Sequence, residues 1–270
     1  MMFELYKKLM LEFFPDHSEN KMKNEGNVEL ARRNFIRDRP SNLDFLLMKR
    51  FKWMNNYITK GKKTIELGSG AGFSQFYIDE KIILTDLIKR NHIHRTIDAM
   101  NLTLQDQSVD IFILSHMIHH ISKPVVFLKN LEKKLKPEGF ILIQEINTSF
   151  LMRLILYIKK HEGYSYKINI FDEESIANNP KDPWSANCAI IELLFKNHKH
   201  FEEKVPLKII RDDFCEFLIF PLSGGVISKA KTINLPLFIL KIIHFFDKIM
   251  IWVFPSLCAF GRSIVLKKIK

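Results

Sequence analysis

The apolar positions of this 270-residue chain alternate between two spacings, and the alternation itself predicts a fold. Short apolar-rich runs over residues 64–67, 81–87, 96–100, 109–116 and 141–146 predict strands of a largely buried sheet. Two more runs, over 207–220 and 262–269, are separated by a long gap. Around the runs, apolar residues recur every three or four positions, which predicts helices over 1–14, 29–35, 73–79, 125–136, 150–159 and 189–196. Arg37-Asp38-Arg39-Pro40 breaks the second of these, leaving Arg37 and Arg39 as candidates to face an anionic substrate. Ser41-Asn42-Leu43-Asp44 is near a capping box in form and opens a helix through Leu46, Leu47, Phe51, Met54 and Tyr57. Residues 15–27 are polar and turn-prone, a loose connection. Strands and helices alternating in this order predict an open α/β sheet.

The gap between the last two strands is far longer than a turn requires. From Leu237 to Phe254 its polar residues are Lys241, His244, Asp247 and Lys248, a narrow stripe on an otherwise apolar helix. Charges near the middle, with Pro236 and Pro255 near the ends, argue against a spanning helix. The pattern predicts a helix over 235–260 lying in a membrane interface with its stripe toward water; a dimer interface or a buried helix is the other reading.

Composition sharpens this. The net charge is +11, but the chain beyond Ile227 carries eight Lys or Arg against Asp247 alone, among Ile, Leu and Phe. Basic and apolar together point to an anionic membrane surface rather than a phosphate groove, and no DNA partner is expected. Cys188, Cys215 and Cys258 are scattered without metal spacing, which fits a reducing cytoplasm. Glu4, Lys7, Lys8 and Glu12 interrupt the first apolar stretch, so no export signal is expected. The predicted location is cytoplasmic, peripheral to the inner face of the cell membrane.

Only 10 residues are Gly, yet three cluster in Glu66-Leu67-Gly68-Ser69-Gly70-Ala71-Gly72, directly after the first strand. Strand, glycine loop and helix form the nucleotide-binding layout of an open sheet. The dinucleotide fingerprint would put its third glycine at position 73, which is Phe73. The E-x-G-x-G-x-G pattern instead resembles motif I of class I S-adenosylmethionine (SAM)-dependent methyltransferases. Further motifs follow in order: Asp86 ending the second strand, Asp98-Ala99 in the third, Met117-Ile118-His119-His120 after the fourth, and Lys136-Pro137-Glu138-Gly139 before the fifth.

This resemblance, over about residues 60–148, implies a Rossmann-like class I methyltransferase fold, α/β, mostly parallel with the last strand antiparallel. To it the chain adds a helical N-terminal cap (1–59), a substrate-side insertion (149–206) that includes an aromatic-rich candidate lid over 163–172, and a last segment (207–270) whose amphipathic insertion spans 226–260. The resemblance implies SAM as cofactor, with Glu66, Gly68, Ser69, Gly70 and Gly72 at its methionine end. Asp86 and Leu87 would meet the ribose, Asp98, Ala99 and Met100 the adenine, and Ser115 and His116 would form the inner wall. A neutral sugar hydroxyl is a poor nucleophile, so a general base would help, and His119, His120 and Glu145 are the candidates. Beside His116, His119 and His120 no fourth ligand is evident, and no metal is expected. The C-terminal pattern, Trp184-Ser185-Ala186-Asn187 and Ser223-Gly224-Gly225 are similar to a bacterial subgroup associated with polysaccharide and lipid-linked saccharide synthesis. That likeness implies a saccharide or lipid-linked acceptor. The alternatives are a soluble methyltransferase of a small molecule or RNA that dimerises through the insertion, and a membrane scaffold retaining a SAM pocket.

Overall fold

The computed structural model describes residues 9–15, 27–160, 162–182, 185–227 and 230–269. Most of the helix expected over 1–14, most of the 15–27 connection, and Trp184 lie outside the described residues. Within them, Glu12–Phe13 is not helical; it pairs antiparallel with Tyr164–Ser165.

Seven strands form the central sheet: β1 (Thr64–Leu67), β2 (Ile83–Asp86), β3 (Arg95–Thr96), β4 (Val109–Ser115), β5 (Leu135–Ile146), β6 (Lys208–Cys215) and β7 (Gly261–Lys267). Their order is β3-β2-β1-β4-β5-β7-β6. Neighbours from β3 to β5 are parallel, and β7 lies antiparallel between β5 and β6. This is the expected Rossmann-like sheet, with its one reversed strand. The pleat sorts side chains by a period of two. Ile65, Leu67, Phe112, Leu114, Ile141 and Ile143 enter one core, while Ile111, Ile113, Leu142 and Val265 enter the other.

Three of the described helices that precede β5 bound these cores: α1 (Val28–Asp38), α2 (Ser41–Phe51) and α3 (Pro124–Lys134). They are followed by α4 (Phe150–Lys159), α5 (Ile190–Phe195), α6 (His198–Lys204), α7 (Ile219–Leu222), α8 (Leu237–Val253) and α9 (Pro255–Cys258). The N-terminal helices and α8 share one face of the sheet, and α3 and α5 pack on the other. The candidate lid region is packed rather than loose: Tyr164 is fully buried, and the Tyr166 hydroxyl donates to Glu192 at 2.5 Å.

Four local expectations are corrected. The capping box does not form, because Pro40 is the N-cap of α2. Ser41 Oγ donates instead to the Leu235 carbonyl, and Asp44 accepts from Arg39 and Tyr77. The helix over 73–79 shrinks to a 3-10 turn, Phe73–Phe76, because Asn55 captures the Tyr77 carbonyl and the Asp79 N–H. The third strand stops at Thr96, since the Asp98 carboxylate takes the Met100 N–H at 2.9 Å and folds a turn. The sixth strand ends at Cys215, where Glu216 adopts φ +58° and the chain turns into α7.

The largest correction concerns α8. Its polar stripe splits: Lys241 and Lys248 are exposed, but His244 is half-buried and Asp247 is buried. Asp247 is 1% exposed and accepts the N–H groups of Leu218 at 3.0 Å, Ile219 at 3.1 Å and Phe217 at 3.4 Å. Burial raises its pKa against those three hydrogen bonds. His244 lies edge-on to Phe45, and Leu240 is fully buried. The outward face is the apolar one, with Phe238 at 63%, Phe245 at 61% and Trp252 at 84% exposure. Leaving three N–H groups unpaired at the start of α7 would cost more than wetting a few side chains, so the carboxylate sets the roll of the helix. Among the described residues no helix is long and apolar enough to cross a membrane.

Candidate active site at the carboxyl ends of the strands

The glycine loop leaves β1 into a bracket of short-range hydrogen bonds. Ser69 N–H donates to the Thr85 carbonyl at 2.9 Å, and the Thr85 N–H returns to Ser69 Oγ at 3.1 Å. Thr85 Oγ1 donates to the Glu66 carbonyl at 2.7 Å, tying β2 to the end of β1. Glu66 itself is buried and takes a hydrogen bond from Ser74 Oγ. Burial pushes it up to about 7, against the hydrogen bonds from Ser74 and Ser69.

Two glycines do different work. Gly72 has φ +62°, and a Cβ there would meet Leu84 at 2.9 Å and His92 at 3.0 Å, so packing fixes it. Gly70 has φ +51°, yet a Cβ there would enter open space. Gly70 N–H donates to Asp86 Oδ2 at 2.8 Å, and Asp86 Oδ1 accepts the Ile88 N–H and pairs with Arg90. Beyond Asp86, Leu87 stands 51% exposed at the rim. Asp98, Ala99 and Met100 form the half-buried turn after β3. Arg32 and His92 hold the loop from behind, through the carbonyls of Ala71 at 2.6 Å and Gly70 at 2.8 Å.

The acceptor side is assembled differently. Ser115 ends β4 against Gln144 of β5, and His116 follows at φ +51°. A non-glycine residue in that region is strained, and its buried Nε2 has no hydrogen-bond partner. Burial holds its pKa well below the usual range, so the ring is neutral. Met117 leans under Gly68, 3.1 Å from where a Cβ would sit. His119 and His120 lie on the next turn, and Glu145 comes up from β5 to accept the Ile118 N–H at 2.6 Å and face His119 Nδ1 at 2.6 Å. Burial alone would discharge both groups, but each is held charged by the other, with Glu162 adding to the pull on His119. His120 behaves in the opposite way: burial, and then His119, push it down to about 4. Its Nδ1 lies 3.1 Å from the Ser185 carbonyl.

The fold therefore brings every candidate cofactor residue to the ends of β1 to β4, and His119, His120 and Glu145 together beside them. Glu162, Cys188, Arg32, His92 and Ser74 are additional. Glu162 approaches His119 Nε2 at 3.7 Å and His120 Nε2 at 3.9 Å, and Cys188 donates to it at 3.4 Å. Arg37 and Arg39 do not join the site; they pair with Asp38 and Asp44 at the surface. A cleft of about 330 Å³, lined by Asn178, Asn179, Ser185 and Lys167 among others, opens beside the Ser185 carbonyl rather than over the glycine loop.

Residues 65–143 match the family described as a methyltransferase domain. The matched segment starts one residue into β1 and ends within β5, so it contains the glycine loop, Asp86, Asp98 and both histidines. The chain carries a SAM-dependent methyltransferase domain, and SAM is its cofactor. Gly70, where a Cβ would meet no atom within 4 Å, and the Asp86 carboxylate that accepts its N–H fit that molecule. No curated protein matches the sequence. Among solved structures, a SAM-dependent methyltransferase from Archaeoglobus fulgidus is 17% identical, covering 93% of this chain and 97% of its own, with a TM-score of 0.49. A complex of the Haloferax volcanii Trm112 methyltransferase activator with a methyltransferase gives 12%, 91%, 97% and 0.47. A SAM-dependent methyltransferase from Methanosarcina mazei gives 12%, 81%, 97% and 0.46.

Proposed function

We propose that the protein transfers a methyl group from SAM to a hydroxyl of a lipid-linked or membrane-proximal saccharide, working at the cytoplasmic face of the membrane. SAM, when bound, supplies an electrophilic methyl group on a sulfonium centre. The protein's task is alignment. Glu66 and the loop from Gly68 through Ser69 and Gly70 to Gly72 form the floor for the methionine end. Asp86 with Leu87 takes the ribose, Asp98 with Ala99 and Met100 takes the adenine, and Ser115 and His116 close the inner wall. On the acceptor side, His119, His120 and Glu145 are the titratable groups placed to draw a proton from a hydroxyl. His119 is clamped to Glu145, so His120, which stays neutral, is the better base.

The observation that carries the membrane reading is the outward apolar face of α8. Phe238, Ile242, Phe245, Ile249 and Trp252 are exposed, and Lys241 and Lys248 stand among them. Lys49 belongs to the same basic group, its pKa lowered by burial and then by Lys248 and Lys241. Apolar side chains at acyl depth with lysines at headgroup level suit an anionic bilayer. Docking there raises the local concentration of a membrane-bound acceptor.

Flotation with anionic lipid vesicles tests this, beside a variant with Phe238, Ile242, Phe245 and Ile249 changed to Ser. The native chain floats and the variant does not, while both bind S-adenosylhomocysteine. If neither floats and the native chain is a dimer that the variant dissolves, the face is a contact between copies and the membrane reading fails.

A further inference from the structure

We propose that His119, His120 and Glu162 form a three-residue binding site for a zinc-like divalent transition metal at the acceptor side of the methyltransferase domain, with the fourth position of the ion left open. One ligand atom from each of His119, His120 and Glu162 lies within 4.8 Å of the others. Two of those edges are 3.7 Å and 3.9 Å. A tetrahedral ion with bonds near 2.1 Å sets its ligand atoms about 3.4 Å apart. Both edges are thus within about half an ångström of closure. The third edge is no longer than 4.8 Å.

The pattern of outer contacts separates this cluster from a chance meeting of polar side chains. Each imidazole uses its Nδ1 on an acceptor of the fold: His119 on the Glu145 carboxylate at 2.6 Å, His120 on the Ser185 carbonyl at 3.1 Å. That turns both Nε2 atoms to Glu162, and a metal would displace the proton that His119 carries on Nε2. Metal-bound histidines are oriented in this way. Two imidazoles and a carboxylate form a set that suits Zn²⁺ rather than Mg²⁺ or Ca²⁺. Two carboxylates, Glu145 and Glu162, flank His119, and a divalent ion neutralises their combined charge. The side chains of His120 and Glu162 are 23% and 18% exposed, which gives an ion a way in.

The site is independent of the acceptor proposed above, since it rests on side chains that meet whatever is methylated. Its position is suggestive nonetheless. It lies one turn beyond His116, where an acceptor oxygen in the ion's open position would be acidified, the ion then taking the part that His120 plays as base when no metal is bound.

The test uses the full chain, stripped with chelator, dialysed, and titrated with Zn²⁺ alone by calorimetry. Co²⁺ serves as a spectroscopic probe. The expected result is one tight equivalent, with a tetrahedral Co²⁺ spectrum. Glu162→Gln and His120→Ala each weaken binding at least about a hundredfold, beyond what losing a supporting contact costs. Both variants keep S-adenosylhomocysteine binding and a cooperative melt. Absence of a stoichiometric site in the native chain overturns the proposal, as does unchanged Zn²⁺ affinity in both variants. If the variants do not fold, the Co²⁺ spectrum of the native chain decides: octahedral or absent binding refutes the site. Vesicle flotation is unaffected either way, so the two proposals fail separately.

Discussion

The two halves of the site are built by different means. On the cofactor side the chain makes a pocket from itself at short range: Gly70 reaches Asp86 and His92, and Glu66 reaches Ser74 and Thr85. On the acceptor side, Glu145, Glu162 and Ser185 converge on two adjacent histidines from three separate segments. The first half is held mostly by hydrogen bonds that involve backbone, the second by a buried pair of charges. A locally written pocket tolerates change elsewhere in the chain, whereas the convergent one depends on the whole insertion being in place.

The difference can be broken most strongly at Glu145. Glu145→Gln leaves His119 without its charged partner and should cost about 3 kcal/mol of stability in denaturant unfolding, the loss expected when one member of a buried pair is removed. S-adenosylhomocysteine affinity should stay within about threefold, because the glycine loop does not use that pair.

Glu66 gives the next largest effect and the opposite kind of pH response from a salt-bridged acid. Its folded pKa is raised, to about 7 from an ordinary 4.5, so the folded state holds a proton that the unfolded state releases. Stability should therefore fall as pH rises from about 4.5 to 7, by up to about 3 kcal/mol, and level off above. Glu66→Gln should flatten that stretch of the stability profile; an unchanged slope would assign it to another group.

Asp247→Asn keeps the shape but halves the acceptor strength at three N–H groups, and should cost about 1–2 kcal/mol. Gly70→Ala sharpens the contrast between stability and binding. It should cost only about 1 kcal/mol for the left-handed conformation. Cofactor affinity should fall at least about tenfold, because the new methyl enters the open space. Arg37→Ala, breaking an exposed pair, should leave both the unfolding midpoint and binding unchanged.

What was legible in the sequence follows the same division. Apolar-rich strands and a glycine cluster after the first of them are local signals, so the sheet, its loop and Asp86 could be placed from spacing alone. Glu162 sits in Lys159-Lys160-His161-Glu162-Gly163, a stretch that reads as a basic helix end, and nothing local pairs it with His119. The misread helix end at 73–79 was settled by Asn55, an element away. For α8, hydropathy located the stripe but not what the stripe would touch. A carboxylate amid lysines on a greasy helix reads as a wet residue until three unpaired N–H groups are found beneath it.

That buried carboxylate also acts as a keel. Because Asp247 is bound to the backbone before α7, α8 cannot roll about its own axis without breaking those bonds, and its aromatic side is presented in one attitude only. The helix shares its face of the sheet with α1 and α2, while α5 and α6 lie on the other. Any surface that accepts the aromatic side therefore meets the protein belly-down on its N-terminal helices, with the far layer pointing away. One acidic side chain converts a sticky helix into a landing gear with a fixed heading.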